Sequence, residues 1–151
     1  MPDYGVAGAD AGSGLLPWSW AQERLVQSHN YWLSTSRADG RPHVMPVWGV
    51  WLDDALYFST APGSRKARNI AERPECVVTT ERADEAVIVE GAVSPENDAA
   101  TLQSFKQAYD KKYDWDMETE GILVLRPRTV FGFIEHADQF KDTATRWRFD
   151  R

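Results

Sequence analysis

Two turn signals, Arg37-Ala38-Asp39-Gly40 and Asp53-Asp54, bracket an apolar run from Pro42 to Leu52, and they constrain the fold more tightly than any other feature of the chain. Asp-Gly supplies the positive φ of a tight hairpin turn, so Tyr31-Trp32-Leu33 and the run that follows are predicted to be antiparallel neighbours. Asp53-Asp54 makes a second such turn and returns Ala55 to Thr60 as a third strand. The middle run carries Val44, Met45, Val47, Trp48, Val50 and Trp51, apolar on both faces, and reads as one central strand covered on each side. Pro46 conflicts with that reading. It cannot donate to a ladder, so it predicts a bulge, or a neighbour other than a strand, such as the edge of a flat ligand.

The rest of the chain continues in short elements. Residues 1–16 are rich in Gly, Ala and Asp without a period and are expected to form a flexible tail, leaving 17–151 as a single domain. Pro17 suits a first helical turn, and Trp18, Ala21 and Leu25 mark one face of a helix to about His29. Ser64 is placed to cap a helix from Arg65 to Glu72, closed by Pro74. Cys76 to Thr80 and Ala86 to Val93 form a second hairpin around Arg82-Ala83-Asp84. Ser94-Pro95 predicts the start of an amphipathic helix to about Lys112. Ile122 to Leu125 and Val130 to Ile134 read as two strands separated by Arg126-Pro127-Arg128, and Ala144 to Phe149 as a last short one. The fold class is mainly antiparallel β with short helices, an α+β barrel or sandwich.

Composition narrows the function. Cys76 is the only cysteine of 151 residues, so no intrachain disulfide forms, and in a predicted buried strand it reads as a structural thiol. With no apolar run of membrane-spanning length and no signal peptide, a soluble cytoplasmic protein is expected. The net charge of −6 argues against nucleic acid or an anionic membrane as the main partner. His29, His43 and His136 lack metal-ligand spacing, and no metal site is expected. Asp110, Asp114, Asp116, Glu118 and Glu120 read as a solvated loop. Seven tryptophans are an excess that packing and ligand stacking could share. Trp18, Trp20, Trp32 and Trp115 are assigned to packing, and Trp48, Trp51 and Trp147 to segments of a candidate cleft or subunit edge.

The strongest chemical signal is Phe58-Ser59-Thr60-Ala61-Pro62-Gly63-Ser64-Arg65-Lys66-Ala67-Arg68-Asn69. A strand ends in two hydroxyls, a glycine turn follows, and a helix opens with two cations. Cations at a helix N-terminus oppose the macrodipole, and an anion resolves the conflict. Free N–H groups, the hydroxyls of Ser59, Thr60 and Ser64, and the charges of Arg65 and Lys66 would then converge on a phosphate. The competing explanation is that Arg65, Lys66, Arg68 and Arg73 solvate an exposed helix. At the carboxyl end Thr145-Arg146-Trp147-Arg148-Phe149 interleaves cations with aromatics, either to wrap a planar anion or as an edge strand with Trp147 and Phe149 packed inward.

The segment from Phe58 through Pro74 resembles the phosphate-binding segment of the pyridoxamine 5'-phosphate oxidase-like superfamily of flavin- and deazaflavin-binding proteins. Asp39 to Trp48 resembles that family's second strand. With Val89-Glu90-Gly91-Ala92 and the closing Ala144 to Phe149, the match over roughly 18–149 is most similar to the branch that includes actinobacterial F420-dependent reductases. The resemblance implies a split, FMN-binding-like β-barrel, a homodimer with the cofactor at the subunit interface, and an oxidoreductase. It implies that Ser59, Thr60, Ser64, Arg65 and Lys66 hold the cofactor phosphate and that Asn69 supports the turn. Val44, Met45, Pro46 and Val47 would face the ring, which gives Pro46 a rationale, and Trp147 and Arg148 would reach the cofactor held mainly by the other subunit. The favoured cofactor is coenzyme F420, passing a hydride to a small unsaturated organic molecule. FMN is the alternative on the same fold, as is a non-catalytic carrier of either. The resemblance names no catalytic residue, and the ending of the chain departs from that of the true oxidase.

Overall fold

The computed structural model describes residues 7–8, 15–136 and 143–150. In chain order its elements are β1 (Ala7–Gly8), α1 (Trp18–Gln27), β2 (Tyr31–Ser36), β3 (Pro42–Val47), β4 (Val50–Leu52), β5 (Ala55–Ser59), α2 (Arg65–Glu72), β6 (Glu75–Thr80), β7 (Glu85–Pro95), α3 (Ala99–Tyr113), β8 (Ile122–Ile134) and β9 (Thr145–Arg148). The strands join in one sheet ordered β1-β9-β8-β7-β6-β2-β3, with β5 branching from β8 and β4 from β5. All pairings are antiparallel except the short contact of β1 with β9. Along one edge β8 pairs with β7; along the other, its first part takes β5 and its second part β9. That fork curls the sheet into a split barrel.

The turns behave as their residues dictate. Gly40 has φ 90°, and Asp53 and Asp54 have φ 49° and 57°, the left-handed pair a two-residue hairpin turn requires. Side chains that point inward from β2, β6 and β7, among them Leu33, Val78 and Val89, pack with Leu25 of α1 and with Leu56 and Phe58 of β5 in the barrel core. The opposite face of β5 sends Ala55 and Tyr57 into a second cluster with Phe105 and Tyr109 of α3.

Four expectations are corrected. The run from Pro42 to Leu52 is not one central strand: it breaks at Trp48-Gly49 into β3, which ends the sheet, and β4, which pairs with β5. The strand covered on both faces is β5. At the sheet edge Pro46 pairs with Trp32 in unbroken register, and the neighbour it lacks is on its free side.

Ser94-Pro95 does not open a helix. Both residues extend β7 against Val124 and Leu123, and α3 starts after Asp98, whose carboxylate accepts from the Thr101 N–H at 2.9 Å. A carboxylate cap outcompetes a serine still held in a ladder.

The segment 122–134 is one strand rather than two. Pro127 is tolerated inside it because the register shifts at Glu90/Gly91, and a Cβ on Gly91 would lie 2.1 Å from the Arg126 carbonyl oxygen. Last, Leu16 belongs to the core rather than to a tail: it is buried, and its N–H donates to Thr145 Oγ1 at 3.0 Å. Of the remainder of 1–16, residues 1–6 and 9–14 lie outside the described residues.

Candidate functional site

The turn between β5 and α2 is built locally. Ser64 has extended backbone, accepts from the Ala67 N–H through its hydroxyl at 3.2 Å, and receives the Arg68 N–H on its carbonyl at 3.1 Å. Its own N–H closes on Ala61 O at 3.0 Å, which folds Ala61 to Ser64 into a tight loop. Ser59 and Thr60, half-buried, end β5 at the mouth of this loop. Asn69, one turn into α2, is buried and donates from Nδ2 to the buried Thr35 Oγ1 of β2 at 2.9 Å. The sequence reading gave Asn69 a supporting place at the turn; here it ties α2 to the sheet.

The cations of this region stand apart from the ion pairs of the molecule. Arg24, Arg41, Arg82, Lys106, Arg126 and Arg128 each meet a carboxylate among the described residues, whereas Arg37, Arg65, Lys66 and Arg68 have none, nor do Arg73, Lys111, Lys112, Arg146 and Arg148 elsewhere. Arg37, Arg65 and Lys66 all act on His43, which the sequence did not assign to the phosphate. It lies opposite Thr35 on β3. Burial, then the charges of Arg37, Lys66 and Arg65, hold its imidazole below the usual histidine range. Its Nδ1 is closed to solvent without a hydrogen-bond partner. A ring nitrogen closed to solvent without a partner, beside unpaired cations and the open end of a capped helix, is completed by an anionic group when that nitrogen carries its proton. The residues present fit the phosphate of a flavin-type cofactor.

From His43 the strand carries the chain about 13 Å to Val47, at the usual rise of an extended strand. Val44, Met45 and Pro46 are exposed and Val47 is buried, and no strand among the described residues pairs with the outer edge of β3. The next residue, Trp48, is 40% exposed and lies flat on Tyr113 with ring centroids 4.4 Å apart and planes 4° apart. The Gly49 N–H donates to Tyr113 Oη at 3.0 Å, and Lys112 Nζ donates to Gly49 O and to Tyr31 Oη, both at 2.9 Å. Burial pushes the Tyr113 phenol up to about 12 and draws the Lys112 ammonium down to about 8.

The carboxyl-terminal residues are not gathered here. Trp147, expected at a neighbouring cofactor, is only 6% exposed and packs edge-on against Trp18 at 5.4 Å inside the core, because its position on β9 faces Val130 and the barrel interior. Arg148, one residue on, points to the outer face and is exposed. Trp51 is likewise a core residue, whereas Trp32 and Trp115, assigned to packing, are 45% and 58% exposed.

A pyridoxamine 5'-phosphate oxidase family model matches residues 21–134. The chain belongs to that family. No curated protein matches it. Solved structures extend the likeness to fold. An F420 reductase is 21% identical with a TM-score of 0.56, covering 72% of this chain and 94% of that one. A conserved hypothetical protein from Mycobacterium tuberculosis is 16% identical with a TM-score of 0.69, covering 81% and 87%. HutZ, a heme storage protein from Vibrio cholerae, is 18% identical with a TM-score of 0.62, covering 77% and 96%. The pyridoxamine 5'-phosphate oxidase fold thus carries more than one kind of ligand, and the residues of this member must decide which.

Proposed function

We propose that this protein is an oxidoreductase that holds coenzyme F420 by its phosphate at the β5–α2 turn and serves hydride transfer to a small unsaturated organic substrate. The observation that carries the reading is that the unpaired cations Arg65 and Lys66 of a capped helix start, with Arg37 of the β2–β3 turn, act on His43, whose Nδ1 is unpartnered, while Arg68 follows one turn on in the same helix. Ser59, Thr60 and Ser64 add hydroxyls, and the free edge of β3 at Val44 to Val47 offers backbone groups to the rim of a flat ring. Arg37 and Arg68 exceed what one phosphate needs, which favours a cofactor with a further acidic tail. Bound there, F420 supplies the hydride chemistry; the chain's residues pin the phosphate, align the ring along β3 and shield it from water. The exposed indole of Trp48, held by Tyr113, gives a planar substrate a surface on which to stack. A second copy of the chain, carrying Arg148 on its outer sheet face, would complete the cleft.

Fluorescence titration with F420 and with FMN tests the reading. Wild type is expected to bind F420 more tightly than FMN, and Arg65→Ala/Lys66→Ala to lose at least a hundredfold in affinity, since charge-assisted bonds contribute about 1.5 to 3 kcal/mol each. Unchanged binding in the double variant removes the site. Tighter FMN binding assigns the turn to a flavin, and cofactor binding without turnover of any acceptor assigns the protein a carrier role.

A further inference from the structure

His43 reaches the cation cluster from a different element than the turn itself. It is fixed opposite Thr35 by the β2–β3 register, and Thr35 is fixed to α2 by the Asn69 bond of 2.9 Å. The backbone of His43 is therefore held beside the strand position to which α2 is tied. Three cations act on it through their charge: Arg37 from the β2–β3 turn, and Arg65 and Lys66 from α2. The carboxylate closest in sequence, Asp39, is engaged by Arg41, with Nε to Oδ2 at 2.9 Å and the backbone N–H to Oδ1 at 3.1 Å. No ion pair among the described residues offsets the three charges around the ring.

An anion arriving between these cations changes two things at His43. It supplies the acceptor that Nδ1 lacks, and it offsets most of the positive charge around the ring. We propose that His43 is a proton-linked ligand of this site: its Nδ1–H donates to the bound phosphate-type anion, and the imidazole takes up one proton from solvent as the anion binds. The inference rests on the reading of the β5–α2 turn as an anion site and goes beyond it, because it makes binding depend on pH through one named residue.

The sign follows from linkage. The cations disfavour imidazolium before the anion arrives and the anion favours it afterwards, so the bound form holds more protons between the two histidine pKa values. Anion affinity is then greatest below the lower of the two and falls by up to tenfold per pH unit between them.

Sulfate tests this, since it has the charge and shape of a phosphate group and does not titrate near neutral pH. The chain has three histidines, and His43→Gln identifies the His43 imidazole proton signal by its loss. In the full-length protein, saturating sulfate is expected to raise the His43 pKa by at least one unit, and sulfate affinity to fall about tenfold between pH 6 and pH 8. His43→Gln should keep the wild-type fold by circular dichroism and bind sulfate with no such fall. Arg65→Ala/Lys66→Ala should abolish the sulfate-induced shift. A His43 titration unmoved by bound sulfate, equal affinity at the two pH values, or no sulfate binding at 100 mM overturns the proposal. F420 binding with an unmoved His43 would retain the cofactor reading and remove only this inference; sulfate coupling without F420 binding would do the reverse.

Discussion

Lys112 brings a charge into a place that resists it. Its ammonium lies over the rings of Tyr31 and Tyr113, 4.7 and 5.2 Å from their centroids, and donates to two oxygens at the Gly49 junction. Burial lowers it from the ordinary 10.5 to about 8, against a smaller opposing pull from Glu81. The folded form therefore holds fewer protons than the unfolded chain between those values, and Lys112 makes stability rise with pH across that window. Wild type should gain about 1 kcal/mol over Lys112→Met between pH 8 and 9.5 in urea denaturation, after allowing for residual solvent screening. A constant difference between the two proteins would remove Lys112 as the titrating group. This contact was illegible in the sequence: Lys112 ends a helix in the manner of any solvated lysine, and its partners stand 63 and 81 positions away. Arg65 and Lys66 were legible because their signal is local, two cations where the macrodipole disfavours them. His43 was not assigned to the phosphate turn because only the pairing register brings its strand position to the one tied to α2.

Among the elements, those announced by a turn or a cap were readable. Asp-Gly, Asp-Asp and Ser64 each act through backbone chemistry within a few residues. The errors occurred where a distant partner decides: Pro46 is tolerated because β3 is an edge, and Pro127 because β8 bulges beside it, with Arg128 as the extra residue opposite Glu90 and Gly91 of β7. Gly91 shows how narrow that second arrangement is. A Cβ there would meet the Arg126 carbonyl oxygen at 2.1 Å and the Pro127 Cα at 3.2 Å, all backbone that cannot rotate away. Gly91→Ala is expected to cost about 3 kcal/mol by thermal or denaturant unfolding, with β7 and β8 forced apart at the fork of the barrel. Glu90→Ala, exposed and one residue earlier, should lie within about 0.5 kcal/mol of wild type. Equal stabilities for the two variants would mean that the bulge relaxes freely.

For the whole molecule, we propose that the homodimer forms through the sheet face turned away from the core. Following the register across strands, Pro46, Trp32, Thr79, Ile88, Phe131 and Arg146 form one continuous row on that face. Val44, Ser34, Val77, Glu90, Thr129 and Arg148 form the next. Trp32 and Val44 are 45% and 53% exposed, and Arg146 Nε is closed to solvent without a partner. The exposed end of the first row at Pro46 and Trp32, continued by the half-buried Thr79 and Ile88 with cations at the far end, suits a self-complementary contact in which each copy covers the other's row. The homodimer proposed for the cofactor cleft is expected to use it, burying on the order of 1,600 Å² in total as stable interfaces do. In sedimentation, wild type should then run at twice the 17.1 kDa chain mass. Trp32→Glu should keep its circular dichroism spectrum, weaken the dimer at least a hundredfold, and lose F420 affinity in parallel, because a carboxylate would be buried unpaired within the contact. Trp115→Glu, at an indole that is 58% exposed on the loop after α3, should change neither property. A Trp32→Glu protein that still sediments as wild type would place the interface elsewhere, and one that dissociates yet binds F420 undiminished would confine the cofactor to a single subunit.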